Sequence, residues 1–209
     1  MKIIDISWAL CKETVGYGDK KTIEFEKVNK FDSDDIRTTR IRLSTHSGTH
    51  VDAPAHFIKD GETVEKIKLP TCVGECLVLD MTNVGESITD KHLAKCQINE
   101  GDIILLKTTN SELPSLGSFN KDFVYLNASG AHYLVEKKVA AVGIDYLGIE
   151  RDQQGHPTHW ELFTNNITII EGLRLNSAEP GSYFLCCLPL DVIGLEAAPA
   201  RAVLVQGTQ

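Results

Sequence analysis

The chain has 209 residues, of which 42% are hydrophobic and 24% charged, a composition typical of a globular protein that folds as one domain over residues 1–209. Its net charge of −8 argues against nucleic acid or an anionic membrane as the main partner. No segment approaches the roughly 20 apolar residues of a membrane span, so we predict that the chain does not cross a bilayer.

The N-terminus and the cysteines favour the cytoplasm. Asp5 interrupts the first apolar stretch before the core of a secretory signal can form. The six cysteines include no C-x-x-C pair, and a chain of this length does not need disulfides for stability. Cys72 and Cys76 have the spacing of half a zinc site, but no second pair completes it. We therefore expect reduced thiols and a cytoplasmic protein.

Strands dominate the predicted elements. Segments rich in apolar and β-branched residues predict eight strands in chain order, at residues 2–7, 36–45, 75–81, 102–107, 123–126, 139–144, 183–188 and 202–205. The second of these carries polar residues on both faces, which indicates an edge or two-sided strand. The continuous apolar runs at 77–79 and 103–106 are typical of strands covered on both faces.

Three helices are predicted among these strands. The first covers about residues 89–96 with Thr89 as its N-cap, and the second about residues 130–138 with Ser129 as its N-cap. The third begins near His159 and can end at Asn165 and Asn166, before a β-like run. Strands interleaved with a few helices predict a mixed α/β single domain.

The most informative segment reads His46-Ser-Gly-Thr-His50-Val-Asp52-Ala-Pro-Ala-His56. Imidazole and carboxylate are ligands that divalent metals prefer, and packing alone gives little reason to crowd them. A helix is excluded by Gly48 and Pro54, so we interpret the segment as a loop at the end of a strand. The competing interpretation is a set of solvated loop histidines.

This segment closely resembles the H-x-G-T-H-x-D-x-P-x-H motif of the metal-dependent cyclase family, which includes bacterial kynurenine formamidases and isatin hydrolases. The resemblance implies a cyclase-like swivelling β/β/α fold with mixed β-sheets. It extends over nearly the whole chain, through Asp5-Ile6-Ser7, Gly143-Ile144-Asp145, Leu188-Pro189-Leu190 and Pro199-Ala200-Arg201-Ala202.

The resemblance also implies a second half of the metal site, at His159 and Glu171. One continuous helix would hold these two residues about 18 Å apart, so the chain must turn back between them. The family pattern then gives a two-metal site in which His46, His50 and Asp52 hold the first ion. Asp52 bridges to the second ion, which His159 and Glu171 complete. Zn²⁺ suits this donor set best, and Mn²⁺ remains an alternative.

The resemblance implies hydrolysis of an amide by a metal-activated water, with an aryl formamide such as N-formylkynurenine, from tryptophan catabolism, as the small-molecule substrate. His56 matches the family's catalytic histidine and would transfer protons. Direct metal ligation is the alternative role for His56. Family members commonly form dimers or tetramers, so a homo-oligomer is expected.

The early loop departs from the family pattern. The family often has a Trp-Pro-Gly-Asp-like stretch there, whereas this chain has Val15-Gly-Tyr17-Gly-Asp19. Tyr17, Phe57 and Trp160 are therefore candidates for the pocket wall, with simple packing as the alternative. Two other functions stay open: hydrolysis of a cyclic amide such as isatin, a lactam or an imide, and a non-catalytic role in metal binding.

Overall fold

The computed structural model describes residues 1–207. The strands in this range are β1 (Lys2–Asp5), β2 (Glu24–Asn29), β3 (Thr38–Arg42), β4 (His50–Asp52), β5 (Val73–Asp80), β6 (Ser87–Ile88), β7 (Ile103–Lys107), β8 (Tyr125–Leu126), β9 (Ala141–Ile144), β10 (Thr168–Glu171), β11 (Gly181–Pro189) and β12 (Ala197–Gln206). The α-helices are α1 (Phe31–Asp34), α2 (Asp90–Leu93), α3 (Ala128–Glu136) and α4 (Pro157–Thr164).

Eight strands form one mixed sheet in the order β1-β12-β11-β5-β7-β9-β10-β4. The centre, from β5 through β7 and β9 to β10, is parallel, and the remaining pairings are antiparallel. β12 also pairs with β4, so the sheet closes into a barrel. This closure places β4 between β10 and β12, with both of its backbone edges paired.

The central strands bury both faces, as the apolar run at 103–106 predicts. Ile103 and Leu105 pack into one hydrophobic cluster, and Ile104 and Leu106 pack into another. This division follows from the two-residue period of a strand. The second cluster also contains Leu134 of α3 and residues of α4, so the helices cover one face of the sheet.

All eight predicted strands overlap observed strands, but the helix boundaries differ from prediction. α2 begins after Thr89, which caps it as expected. α3 begins at Ala128 rather than Gly130, because the side chain of Asn127, not of Ser129, accepts the capping hydrogen bond from the Gly130 N–H. α4 begins at Pro157, two residues before His159, and ends at Thr164 with Asn165 as its C-cap.

β2 and β3 form a separate two-stranded hairpin. Its connection contains α1, and β3 is exposed along its whole length, as a two-sided strand should be. Large apolar side chains are nevertheless exposed around it, at Val28, Phe31, Ile36 and Ile41. An isolated hairpin of this kind is at best marginally stable in water.

Within residues 1–207, no helix is both long and apolar enough to cross a membrane.

Candidate metal centre

The loop that carries His46 enters β4 through a tight turn at Gly48. Gly48 has φ of +63°, and a Cβ atom there would lie 2.5 Å from Leu10 Cδ2. The next residue, Thr49, accepts a hydrogen bond from the Trp8 N–H (2.8 Å) and donates one to the Gly172 carbonyl (2.5 Å). Glycine is therefore required at Gly48, and the turn is fixed against two other segments.

β4 brings His50 and Asp52 to one side of the barrel wall, which corrects the prediction that the whole motif is a loop. The two side chains are two residues apart on a strand, so they point the same way. The Nδ1 atom of His50 lies 2.8 Å from the Gly48 carbonyl, which leaves its Nε2 atom facing Asp52 Oδ1 at 3.4 Å. This arrangement fixes the tautomer of His50.

Glu171 meets this pair from the neighbouring strand. It is the last residue of β10 and lies directly opposite His50 in the antiparallel register. Its Oε2 atom is 3.3 Å from His50 Nε2, and its Oε1 atom accepts a hydrogen bond from the Ile149 N–H at 2.6 Å. The sheet therefore delivers the carboxylate directly to the end of the β4 motif.

His159 completes the cluster from α4. The helix and the turn at Asn165 reverse the chain, so His159 Nε2 lies 3.5 Å from Glu171 Oε1. Phe57 stacks on the His159 ring, with centroids 4.2 Å apart and planes 29° apart. The two residues of the predicted second half-site are thus in contact with each other and with the first half.

Five buried side-chain atoms in residues 1–207 lack any hydrogen-bond partner, and all five belong to this cluster. An unsatisfied buried polar atom costs about 1–3 kcal/mol, so such a concentration calls for a ligand that can satisfy it. Neutral imidazole and carboxylate donors suit a divalent cation, and the residues therefore fit a metal centre. The atoms are His46 Nε2, His50 Nε2, Asp52 Oδ1, Asp52 Oδ2 and His159 Nδ1.

Two overlapping triads share Asp52. Ligand atoms of His50, Asp52 and Glu171 lie within 4.8 Å of one another, as do those of His46, Asp52 and His56. Asp52 therefore belongs to both groups. The grouping differs from the one that the family resemblance implies. Glu171 contacts His50 as well as its expected partner His159, and the ligand atom of His46 lies beside that of His56.

Charge complementarity dominates the buried part of the site. Burial alone would lower the pKa of His50, but the carboxylates of Asp52 and Glu171 outweigh it and raise that pKa to about 9. Burial likewise opposes the charge of His159, yet Glu150 and Glu171 raise its pKa to about 9. Burial would raise the pKa of Glu171, but His159 and His50 hold it well below the usual range.

His56 differs from these histidines. Its ring centroid lies 4.2 Å from that of His46 and 6.1 Å from that of His159, at the edge of the cluster. Burial lowers the pKa of His56, although the nearby Asp52 carboxylate partly offsets the effect. The imidazole is therefore mainly neutral at pH 7 and able to accept a proton.

A cavity of about 350 Å³ opens onto these side chains and is lined by His46, His56, His159 and Glu171. Of the three candidates for its wall, Tyr17 and Phe57 line the cavity. Trp160 does not line it and is 45% exposed.

Two carboxylates near the site were missed by sequence reasoning. Glu150 contacts His156 and His159, and Glu196 Oε1 lies 3.5 Å from His46 Nε2. No sequence signal marks Glu150, because it lies seven residues before Pro157, outside the N-cap position that His156 occupies. No sequence signal marks Glu196, which reaches His46 from the other end of the chain.

Comparisons with known proteins give the family and the fold of the chain. A family model described as "Putative cyclase" matches residues 4–151. The kynurenine formamidase of Salinibacter ruber (strain DSM 13855 / M31) is 30% identical over 207 residues, 98% of this chain and 97% of its own. A solved structure described as a potential metal-dependent hydrolase with cyclase activity has a TM-score of 0.88 and 39% identity, over 97% of this chain and 96% of that one.

A more distant structure shows the fold alone. Isatin hydrolase A from Labrenzia aggregata has a TM-score of 0.82 but only 20% identity, over 99% of this chain and 94% of that one. The closed mixed sheet with helices on one face is therefore shared more widely than the sequence.

Proposed function

The chain belongs to the cyclase family, and from this premise we propose that it is a metal-dependent amide hydrolase acting on an aryl formamide such as N-formylkynurenine. The observation that carries the proposal is the group of four buried, unpartnered polar atoms on His46, His50 and Asp52; the fifth such atom, His159 Nδ1, faces Glu150 instead. His46 also lines the cavity of about 350 Å³, which is large enough for a small aromatic substrate.

We assign two divalent cations to the centre, Zn²⁺ first and Mn²⁺ as the alternative. His46, His50, Asp52, His159 and Glu171 would hold them, with Asp52 shared. The unpartnered state of both Asp52 oxygens supports this sharing. Bound metal lowers the pKa of water to about 7 and stabilises negative charge on a carbonyl oxygen.

His56 is assigned the proton transfers. It lines the cavity beside His46, and burial keeps its ring mainly neutral. A neutral imidazole can accept a proton from water and return it to the leaving aniline nitrogen. In the reaction the C–N bond of the formamide breaks, a C–O bond to water forms, and formate and the free amine are released.

The cavity wall supports an aromatic amino-acid substrate. Tyr17 packs against Phe119 with centroids 4.7 Å apart, and Phe57 supplies a second aromatic face. Burial, with the carboxylates of Asp152 and Glu171, raises the pKa of Tyr17 to about 12, so its hydroxyl remains a hydrogen-bond donor. Lys20 and Asp152 also line the cavity and provide charges opposite to those of a carboxylate and an ammonium group.

The test is turnover by the purified, metal-loaded protein. Incubation with N-formylkynurenine should release one formate for each kynurenine formed. Isatin, a lactam and an imide in the same assay test the alternative of a cyclic amide. Metal binding without turnover of any of these amides would favour the non-catalytic interpretation.

We propose further that the enzyme is a cytoplasmic homo-oligomer, most simply a dimer, of the tryptophan catabolic pathway. The exposed apolar side chains on the β2–β3 hairpin support a contact between copies, since a second chain would cover them.

Burial raises the pKa of the Cys72 thiol to about 11 and that of Cys76 to about 12, so these thiols are unreactive core residues.

A further inference from the structure

Glu150 is a buried carboxylate outside the ligand set and lies under the start of α4. Its Oε2 atom accepts hydrogen bonds from the Thr158 N–H (2.9 Å) and the His159 N–H (3.1 Å). The N-cap residue of this helix, His156, has a left-handed backbone with φ of +49° and makes no side-chain capping bond of its own. Glu150 therefore caps the helix from the loop that precedes it.

The same carboxylate also faces two imidazoles. Oε1 lies 2.6 Å from His156 Nδ1, and Oε2 lies 3.3 Å from His159 Nδ1. The other ring nitrogen of His159, Nε2, faces Glu171. His159 is thus held with one nitrogen towards Glu150 and the other towards the candidate metal centre, while Phe57 stacks on its face.

We propose that Glu150 is a positioning residue for His159, which it orients towards the metal. An anion beside Nδ1 favours the tautomer with the proton on Nδ1, which leaves the lone pair on Nε2. Because Glu150 also holds the first turn of α4, it fixes both the backbone and the ring of His159. This inference rests on the metal centre of the proposed function.

The competing role for Glu150 is helix capping alone, and Glu150→Gln separates the two. The amide oxygen of glutamine can still accept from the Thr158 and His159 N–H groups, but it carries no charge. Glu150→Ala removes both capabilities. Glu161→Gln on the same helix is the matched control, because Glu161 contacts the exposed His132 and not the site.

The experiment measures metal affinity by competition with a chromogenic chelator, together with the melting temperature of the metal-free protein. Positioning predicts that Glu150→Gln lowers the affinity for one of two ions by about 10–100-fold. It also predicts that Glu150→Gln melts closer to wild type than Glu150→Ala does, and that Glu161→Gln leaves the metal affinity unchanged. In a His159→Ala background, Glu150→Gln should cause no further loss of affinity.

Wild-type affinity for both ions in Glu150→Gln would overturn the inference and leave only a cap. A wild-type protein that binds no metal would instead overturn the proposed function, so the two failures are distinguishable. One measurement needs no variant. In zinc-loaded protein with ¹⁵N-labelled histidine, the His159 nitrogen beside Glu150 should carry the proton, and a proton on the opposite nitrogen would contradict positioning.

Discussion

Glu171 Oε1 and His159 Nε2 lie 3.5 Å apart, although one residue ends a strand and the other lies in a helix on the outside of the sheet. The contact joins the two halves of the site, because Glu171 also reaches His50 across the β4–β10 pairing. Loss of the Glu171 charge should therefore affect both halves.

The first prediction concerns Glu171→Gln, which preserves shape and removes the charge. The variant should fold, because the amide oxygen can still accept from the Ile149 N–H. We expect the metal-to-chain ratio, measured by elemental analysis, to fall from about two to one or below. Turnover should fall by at least about 10², the loss typical of removing one electrostatic contributor. Retention of two ions per chain would remove Glu171 from the ligand set.

The second prediction concerns His56→Ala. Removal of a general acid–base lowers kcat by about 10²–10⁴, so turnover should fall by that factor. Metal content should stay at the wild-type value, because the unpartnered atoms of the cluster belong to other residues. A matched fall in metal content would show that His56 is itself a ligand, which was its alternative role.

The third prediction is the effect of metal removal on stability. Ions that bind only the folded chain stabilise it by about 2.7 kcal/mol at 100 times Kd. For a chain of 150–250 residues, each kcal/mol shifts Tm by about 2–4 °C, so chelation should lower Tm by roughly 5–10 °C. Calorimetry before and after addition of Zn²⁺ or Mn²⁺ checks this expectation. An unchanged Tm would argue against ions that bridge α4, β4 and β10.

Sequence periodicity predicted the sheet well because its central strands are buried on both sides. The run at 103–106 is typical of a strand covered on both faces, and β7 coincides with it. β4 was predicted as loop, since Gly48 and Pro54 flank it closely. Three residues carry little local preference, and the long-range pairing of β4 with β10 and β12 makes it a strand.

In the site, too, residues that are adjacent in the sequence could be predicted, whereas contacts that depend on packing between distant segments could not. The crowded motif at 46–56 could be found in the sequence because its residues are adjacent. Trp160 was expected at the pocket because it follows His159, but successive helix residues point about 100° apart, and Trp160 faces outward. Glu150 could not be found by spacing, because its contacts depend on how α4 packs against the preceding loop.

The fourth prediction concerns the hairpin. Ile41 is 57% exposed on β3, and an aspartate there would add charge to any interface that covers it. If the hairpin joins two copies, Ile41→Asp should weaken the oligomer at least tenfold in Kd, the effect of roughly 1.4 kcal/mol. Light scattering over a dilution series measures the mass. Lys91→Asp, which replaces a positive charge with a negative one on α2, is the control and should leave the mass unchanged.

The fifth prediction concerns pH and lies away from the metal centre. His132 on α3 contacts Glu161 on α4, with Nδ1 and Oε1 2.8 Å apart. The hydrogen bond to Glu161 raises the pKa of His132, and a small burial effect opposes it. The pair's contribution to stability is therefore fully present below the unfolded pKa of about 6.5, and it is lost as the pH rises through the folded-state pKa.

NMR titration of the His132 ring protons should show a midpoint above that of a free histidine. Glu161→Gln should move the midpoint back towards the free value, because it removes the charge next to Nδ1 while leaving α3 and α4 packed. Glu100→Gln, whose carboxylate pairs with Lys138 instead, should leave the midpoint in place. A wild-type midpoint at or below the free value would mean that α3 and α4 do not hold this pair together in solution.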